Sequence, residues 1–484
     1  MIKMKLIIVS FIFSYSSVCG LAQNNNAKSI DVLKTETAAA IQSNYDRYKN
    51  IALSIWDYAE LGYKETKSSS LLQSTLKDNG FTVTSGVVGM PTAFVATYGS
   101  GSPVIGILAE YDALPGLSQD TSATKSPIEN KPNGHGCGHN LFGTGSVAAG
   151  IAIKNLLASG DLKGTIKVYG CPAEEGGSGK VYMVREGLFN DVDVVLHWHA
   201  SDNNAVTYTS ALANKSAKFR FYGVASHASV APEKGRSALD GVEALNYMTN
   251  MMREHIPQEA RVHYVITNGG KAPNVVPEFA EVYYYVRHPD KATAVAIFDR
   301  IVKAAEGAAL GTETKMDYEI IGGTHDLLIN KTLAINMLSN LEKVGGVTYT
   351  TEEIAFAKTI QSGFTGIIPP INSAEKILPL QIESALGSTD VGDVSYVVPT
   401  VGVNTATWVP GTIAHSWQAV ACGGTDIGIK GMMVASKTMA LTAIDLFTNP
   451  ELIKKAKEEF ILSKGDYQYR ALLGDRKPAL NYRD

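Results

Sequence analysis

Residue types that bind divalent metal ions occur at three places in this chain, each beside a strand-like apolar run. Residues 134–140 read Gly-His-Gly-Cys-Gly-His-Asn, Glu174-Glu175 follow a second run, and His197 and His199 close a third. In a doubly wound α/β sheet the strand ends converge on one crevice, so ligands far apart in sequence can surround one or two ions there. The pattern predicts a hydrolytic metalloenzyme.

Cys137 and His139 place a thiol and an imidazole on a glycine-lined turn directly before a predicted helix. Glycine lets the backbone fold tightly enough for both side chains to face one point, and several transition metals accept both ligand types. A Cys-x-His pair is a weak signal by itself. Its meaning depends on the other metal-ligand residues.

Glu174 and Glu175 lie between an apolar strand and Gly176-Gly177. Adjacent side chains diverge, so one carboxylate can bind a metal while the other faces the water that the metal activates. That water needs a base within hydrogen-bond reach to take its proton. The alternative is a solvated acidic loop, which the flanking glycines and the preceding strand make less favourable.

The remaining candidates in this part of the chain are histidines and one aspartate. His197 and His199 point to the same face if their strand continues, so either could be a ligand, although a core or surface role is the default for each alone. His415 lies in a predicted loop and carries weight only together with the others. Asp112 follows the strand that begins at Val104 and is suited to orienting a ligand.

Three further residues lie in the middle of the chain. His227 follows a predicted strand, Asn274 precedes another, and Arg287 lies on that second strand. An imidazole, an amide and a guanidinium suit an oxyanion and a substrate carboxylate. Spacing alone is equally compatible with ordinary structural roles.

The elements that must position these residues alternate between helix and strand. Short, nearly continuous apolar runs are typical of strands that are covered on both faces. The patterns predict helices over 31–61, 68–77 and 143–157, and strands over 92–97, 104–109, 165–169 and 192–196. They indicate an α/β domain.

The middle of the chain has a different order of predicted strands and helices. Its predicted order is strand 218–224, helix 237–255, strands 261–267 and 278–287, helix 291–308 and strand 316–321. This βαββαβ order is a complete ferredoxin-like unit, and the α/β pattern resumes after it. At 484 residues the chain is too long for one ordinary compact core. We therefore predict a signal peptide at 1–22, a catalytic domain in two parts, 23–206 and 327–484, and an inserted domain at 207–326.

The first residues are typical of an export signal. Lys3 and Lys5 precede an apolar stretch over 6–18, and small residues at Gly20 and Ala22 predict cleavage after Ala22. The mature protein is then periplasmic or secreted. A retained anchor and a lipid anchor through Cys19 are the alternatives. No later segment reaches ~20 consecutive apolar residues, so no membrane span is expected in the mature chain.

Composition excludes some classes of function. The formal net charge is −4 with acidic and basic residues interspersed, which leaves no basic stripe for nucleic acid. After cleavage only Cys137, Cys171 and Cys422 remain, too few for a disulfide framework. Cys171 and Cys422 are expected to be small buried apolar side chains, and a bridge between them stays open.

Taken together the motifs resemble those of a known family. The motif at 134–140, Pro-Ala-Glu-Glu-Gly-Gly, Ser-His-Ala-Ser, Asn-Val-Val-Pro and the run 387–393 look like the aminoacylase and carboxypeptidase metallopeptidases. Within that family they resemble the branch that contains auxin-conjugate amidohydrolases and p-aminobenzoyl-glutamate hydrolase. The resemblance covers nearly the whole mature chain. It implies a zinc-peptidase-like α/β domain, with a mixed sheet flanked by helices, and an inserted ferredoxin-like lid that dimerises.

The resemblance also implies roles for individual residues. Glu174 matches the general base and Asp112 the aspartate beside the site. His227 matches a lid histidine that steadies the oxyanion in the neighbouring subunit of dimeric relatives, and Asn274 and Arg287 match positions tied to substrate recognition. The implied ligands of two divalent ions, Mn or Zn, are Cys137, His139, Glu175, His199 (rather than His197) and His415.

The expected reaction is hydrolysis of the amide bond of an N-acyl or N-aroyl amino acid, a small molecule. A dipeptidase or carboxypeptidase with the same site, and a non-catalytic protein that keeps the metal pocket for recognition, are the alternatives. The chain departs from the broader family in having Glu110-Tyr111-Asp112 where other members have His-x-Asp. It also departs from the aminobenzoyl-glutamate enzyme, which is intracellular and has a related second subunit, whereas a homodimer through the inserted domain is expected here.

Overall fold

The computed structural model describes residues 28–381 and 387–483, so the predicted signal peptide lies outside the described residues. The helices are α1 (Ile30–Ser43), α2 (Tyr45–Tyr58), α3 (Thr66–Asp78), α4 (His139–Ser159), the irregular turn α5 (Glu174–Gly177), α6 (Gly179–Arg185), α7 (Ala238–Met252), α8 (Lys291–Gly311), α9 (Lys331–Val344), α10 (Thr351–Gln361), α11 (Val391–Ser395), α12 (Trp417–Gly423), α13 (Asp426–Thr448) and α14 (Pro450–Lys464). The strands are β1 (Thr82–Ser85), β2 (Phe94–Ser100), β3 (Val104–Glu110), β4 (Leu114–Pro115), β5 (Asn133–Gly134), β6 (Gly164–Cys171), β7 (Val194–Ser201), β8 (Ala205–Val206), β9 (Ala213–Tyr222), β10 (Arg261–Asn268), β11 (Phe279–His288), β12 (Lys315–Thr324) and β13 (Thr400–Ala406).

A mixed sheet of seven strands in the order β1-β2-β6-β3-β7-β13-β8 forms the centre of the larger domain. The pairs β3–β6, β3–β7 and β7–β13 are parallel, so the carboxyl ends of these four strands lie at one edge. Helices cover both faces, which is why the central strands are almost entirely apolar. The predicted fold class of this domain is confirmed.

Several element boundaries differ from the sequence-based predictions, and two of these differences are described here. Strand β7 continues to Ser201 rather than ending at Leu196, so His197 and His199 lie within it and on one face. The predicted helix over 31–61 is two helices that break at Asn44, whose φ of −100° and ψ of 18° lie outside the helical range. Asparagine favours such breaks because its side chain competes for backbone hydrogen bonds.

The longest apolar helices belong to the core of this domain. By length and composition α4 and α13 could each cross a membrane, yet 72% and 89% of their most apolar windows are buried inside the protein. They pack on each other and on the central sheet. This is the arrangement of core helices in a folded domain.

The second sheet is antiparallel, in the order β10-β11-β9-β12, and lies within the segment predicted to be inserted. Helices α7 and α8 pack on it around an apolar core that includes Phe219, Tyr284 and Phe298. The order βαββαβ with this pairing is the predicted ferredoxin-like unit. We call this unit the lid.

Neither Cys171 nor Cys422 forms a disulfide; both are buried free thiols. Burial raises the pKa of each thiol to about 12. The open alternative of a bridge between them is therefore wrong, and both residues act as small apolar side chains.

Candidate metal centre

The predicted ligands meet at the edge where the parallel strands end. Cys137 and His139 lie on either side of Gly138, which begins α4 with a φ of 72°. A Cβ at Gly138 would lie 2.4 Å from the Cβ of Ala200, so the turn needs glycine for its conformation and for its close approach to β7. The glycine thus places the thiol and the imidazole against the strand that carries His199.

His139 is fully buried and held in one orientation by Asp112. The Nδ1 atom of His139 lies 2.9 Å from Asp112 Oδ1, and the other oxygen of Asp112 accepts the backbone N–H of Glu175 at 2.9 Å. A proton on Nδ1 leaves the Nε2 lone pair free for a metal. Asp112 therefore connects two candidate ligands, as expected for an orienting carboxylate.

The ligand atoms form compact groups whose members all lie within 4.8 Å of one another. One group is Cys137, His139 and His199, and a second is Cys137, Glu175 and His415. The Sγ of Cys137 is 3.4 Å from His199 Nε2, and Glu175 Oε1 is 3.1 Å from His415 Nε2. All five predicted ligands are thus brought together, in two groups that share Cys137.

The arrangement of these ligand atoms is more compatible with a bound cation than with hydrogen bonds among the ligands themselves. His139 Nε2 and Glu175 Oε1 are buried and form no well-aligned hydrogen bond with any residue that the structure describes; their charged neighbours are Glu110 Oε2 and His415 Nε2, each at 3.1 Å. Buried polar atoms are rarely left unpaired unless a ligand satisfies them. Burial also raises the pKa of the Cys137 thiol, so its thiolate requires a neighbouring positive charge.

The two neighbouring glutamates have different surroundings. Glu175 faces His415, whereas Glu174 groups with Glu110 and His139. Burial raises the pKa of Glu174 well above its usual range, and the negative charges of Glu110 and Glu175 add to this effect. Burial alone would raise the pKa of Glu175, but His415 and His139 lower it. Environments that separate the pKa values of two adjacent carboxyls are typical of acid–base sites.

Sequence reasoning missed an ionic group beneath the centre. Lys180 is fully buried, with its Nζ 2.7 Å from Glu110 Oε1 and 2.6 Å from Asp390 Oδ1. The second Glu110 oxygen lies 3.1 Å from His139 Nε2. For Glu110 the sequence offers one signal. A charged residue ends an apolar strand there, at the position where other members of the family have histidine.

A cavity of about 620 Å³ extends from these groups to the lid. On the lid side Arg287 of β11 pairs with Asn214 of β9, which in turn pairs with Thr324 of β12. The side chains of all three line the cavity, and Arg287 Nε, Asn214 Oδ1 and Thr324 Oγ1 are buried without a hydrogen-bond partner in the described part of the chain. We call these three residues the polar row.

His197 also lines the cavity. Its Nε2 is buried and makes no hydrogen bond to any described residue, and burial lowers the pKa of its imidazole to about 3. His197 is therefore neutral. It lies outside the ligand groups, in agreement with the choice of His199 as the ligand.

Two predicted residues are not at this centre. His227 and Asn274 are exposed near one end of the lid, where His227 forms a bridge with Val275 and the Asn274 carbonyl accepts the N–H of Ala228 at 3.1 Å. Neither lines the cavity of its own chain. Of the three predicted lid residues, the structure brings only Arg287 to the site.

The fold and the site define a metal-dependent hydrolase of the two-domain peptidase type. Residues 106–353 match the sequence profile of Peptidase family M20/M25/M40. The chain belongs to this family and is an enzyme that hydrolyses amide bonds.

Individual proteins give a more specific likeness than the family profile does. The chain is 43% identical to one of the subunits of p-aminobenzoyl-glutamate hydrolase from Escherichia coli, over 87% of this chain and 93% of the relative. It is 29% identical to the Xaa-Arg dipeptidase of Mus musculus, over 90% and 94% of the two chains. Its fold is similar to that of a dinuclear metal-binding peptidase of the M20 family from Bacillus subtilis, with a TM-score of 0.57 at 17% identity, over 84% and 99% of the chains. The resemblance to the p-aminobenzoyl-glutamate hydrolase branch is thereby confirmed.

Proposed function

We propose that this protein hydrolyses the amide bond of N-acyl or N-aroyl amino acids of the p-aminobenzoyl-glutamate type, using two divalent ions. The observation that carries the proposal is that Glu174 lines the same cavity as the candidate ligands and as Arg287 of the lid. The name of the 43%-identical relative supports the choice of substrate.

The two groups that share Cys137 would hold the ions, which are Mn or Zn. Bound there, the ions would supply Lewis acidity for the amide carbonyl and lower the pKa of water towards ~7. The mixed thiolate, imidazole and carboxylate donors accept either metal. Asp112 contributes by fixing His139 and the backbone of Glu175.

Glu174 is the proposed general base. Its carboxyl belongs to the group with Glu110 and His139, whereas the carboxyl of Glu175 is paired with His415, so Glu174 is the one free to take a proton from water. Its raised pKa also suits later proton donation to the leaving amine.

The polar row is the proposed site for the carboxylate of the amino acid product. The Arg287 guanidinium supplies charge, while Asn214 and Thr324 supply neutral hydrogen bonds from the two neighbouring strands. Because Arg287 Nε and Thr324 Oγ1 can donate hydrogen bonds and have no described partner, a carboxylate would satisfy both. This arrangement favours amides of amino acids over uncharged amides.

The exposed positions of His227 and Asn274 support a homodimer in which the lid of one chain completes the site of the other. The edge strand β10 exposes Tyr264 and Val265, and the adjacent helix α7 exposes Tyr247. Unpaired edge strands with apolar side chains are suited to pairing with a second copy.

We also propose that the protein is exported, with cleavage after Ala22.

A substrate panel tests the proposal. Protein stripped of metal and reloaded with Mn²⁺ or Zn²⁺ should release p-aminobenzoate from p-aminobenzoyl-glutamate faster than it cleaves dipeptides that end in arginine. Faster cleavage of the dipeptides would favour the second candidate, a dipeptidase like the mouse relative. Metal binding without any turnover would favour a recognition role.

A further inference from the structure

We propose that Tyr482 and Arg483 are positioning residues for the loop that carries Glu174 and Glu175. The inference rests on the proposed metal centre, because its effect is to direct one ligand and the base. Both residues bind a backbone oxygen of the loop rather than its carboxylates.

The loop over residues 173–178 has an unfavourable backbone. Ala173 has φ 55° and ψ 44°, and Ser178 has φ 58° and ψ 43°, so two residues with a Cβ adopt the left-handed conformation. Such conformations persist only when the surrounding structure fixes them. Something outside the loop must therefore hold it.

Tyr482 and Arg483 both act on one atom of this loop. The Tyr482 hydroxyl donates to the carbonyl oxygen of Glu175 at 2.9 Å, and Arg483 Nη2 donates to the same oxygen at 2.6 Å. The N–H of Glu175 is bound by Asp112 on the other side. Both polar groups of this residue's backbone are thus held, which directs its side chain towards His415.

Neighbouring residues fix the position of the Tyr482 ring. A Cβ at Gly62 would lie 2.2 Å from the Tyr482 hydroxyl oxygen, so this approach is possible only beside a glycine. The ring packs edge-on against Tyr63, with centroids 5.7 Å apart. The Tyr63 hydroxyl in turn donates to the carbonyl of Gly177 at 2.7 Å. The two tyrosines therefore hold the loop at two carbonyls.

The segment that carries Tyr482 is itself fixed along its course after α14. Leu473 is buried, and Arg185 Nη1 donates to the carbonyls of Gly474 and Arg476 at 2.9 and 2.7 Å. The Tyr182 hydroxyl donates to the carbonyl of Lys477 at 3.3 Å. A segment held in this way can transmit a fixed position to the loop.

The test compares Tyr482→Phe, Arg483→Gln and the double variant with the wild-type protein. Tyr349→Phe is the matched control, because it also removes one hydroxyl that donates to a backbone carbonyl, that of Trp408, outside both the loop and the segment after α14. Affinity for Mn²⁺ or Zn²⁺ is measured by calorimetry on stripped protein, kcat and KM on p-aminobenzoyl-glutamate, and Tm by thermal unfolding.

The double variant should bind its more weakly held ion about tenfold less tightly and lose about tenfold in kcat, as for other residues that orient ligands. Its KM should stay within twofold, and the control should match the wild type in metal affinity and kcat. A purely structural role would lower Tm without changing metal affinity. Tyr482→Phe, which removes a single oxygen atom, serves if the double variant does not fold.

Two outcomes separate this inference from the proposed metal centre. If the wild type binds two ions and the double variant binds both equally well with kcat within twofold, Tyr482 and Arg483 do not position the loop. If the wild type binds no ion, the metal centre itself is wrong, and the inference is overturned with it.

Discussion

At the scale of single residues, the chemistry depends on how Glu174 and Glu175 diverge. Glu175 faces His415, whereas Glu174 faces Glu110 and the cavity. Adjacent residues on a regular strand would place the two carboxylates on opposite faces of a sheet. The irregular turn α5 instead directs both towards one centre.

Replacing Glu174 by glutamine should remove the base and keep the ligands. We expect Glu174→Gln to retain both metal ions and to lose ~10²- to 10⁴-fold in kcat. Elemental analysis and steady-state kinetics, with Glu175→Gln as the comparison, check this. Near-full activity of Glu174→Gln together with full metal content in Glu175→Gln would show that the two roles are reversed or wrong.

Replacing Arg287 should weaken recognition of the carboxylate. A hydrogen-bonded charge contributes ~1.5–3 kcal/mol, so Arg287→Met should raise KM about 10- to 100-fold for p-aminobenzoyl-glutamate. The exposed Arg300→Met is the control, since that residue lies on the outer face of α8. Arg287→Met should not raise KM for a substrate whose carboxylates are amidated. An equal rise in KM for that substrate would contradict the assignment.

At the scale of elements, the buried ion pairs of Lys180 connect α6 to β3 and to Asp390, the residue that precedes α11. Glu110 ends β3 and Asp390 precedes α11, and both carboxylates contact one fully buried ammonium. Buried charges are tolerated only when they are paired. The group therefore fixes the packing of three elements directly beneath the metal centre.

Removing that ammonium should be costly to stability. Lys180→Met leaves two buried carboxylates without their partner, and we expect a loss of ~3–5 kcal/mol in the free energy of unfolding. Lys131→Met is the matched control, because its ion pair with Asp57 is exposed and such pairs contribute ~0–1 kcal/mol. Urea denaturation of both variants measures the difference, and equal losses would contradict the structural role of the buried group.

Much of this architecture could be predicted from the sequence, because strands covered on both faces leave continuous apolar runs. The order of the lid and the five predicted ligands followed from such runs and from family motifs. The polar row could not be predicted, since Asn214, Arg287 and Thr324 meet only through strand register. Lys180 and Asp390 are 210 positions apart in sequence, so no spacing indicates their contact.

At the scale of the whole molecule, one chain carries a metal centre and a lid histidine that do not meet. His227 is exposed and lies outside its own cavity, which agrees with its proposed action in a neighbouring subunit. The apolar side chains that β10 and α7 expose offer a surface for that association. In the proposed homodimer a complete active site requires two chains.

Complementation tests this assembly. A positioned oxyanion donor contributes ~3 kcal/mol, so His227→Ala should lower kcat by ~100-fold or more without releasing metal. Mixing His227→Ala with Glu174→Gln chains should restore part of the activity, because a mixed dimer holds one site with both groups intact. A protein that is monomeric at assay concentration, or a mixture that stays inactive after demonstrated subunit exchange, would contradict the prediction.

The polar row lies on the lid, whereas the metal-ligand groups lie on the larger domain. In the proposed complex the substrate is therefore a covalent tether between two separately folded bodies. Hydrolysis cuts that tether: the carboxylic acid product stays with one body and the amine product with the other. The bond that is broken is the substrate's link between the two sites, so the chemical step itself leaves each product bound at one site only and free to leave separately.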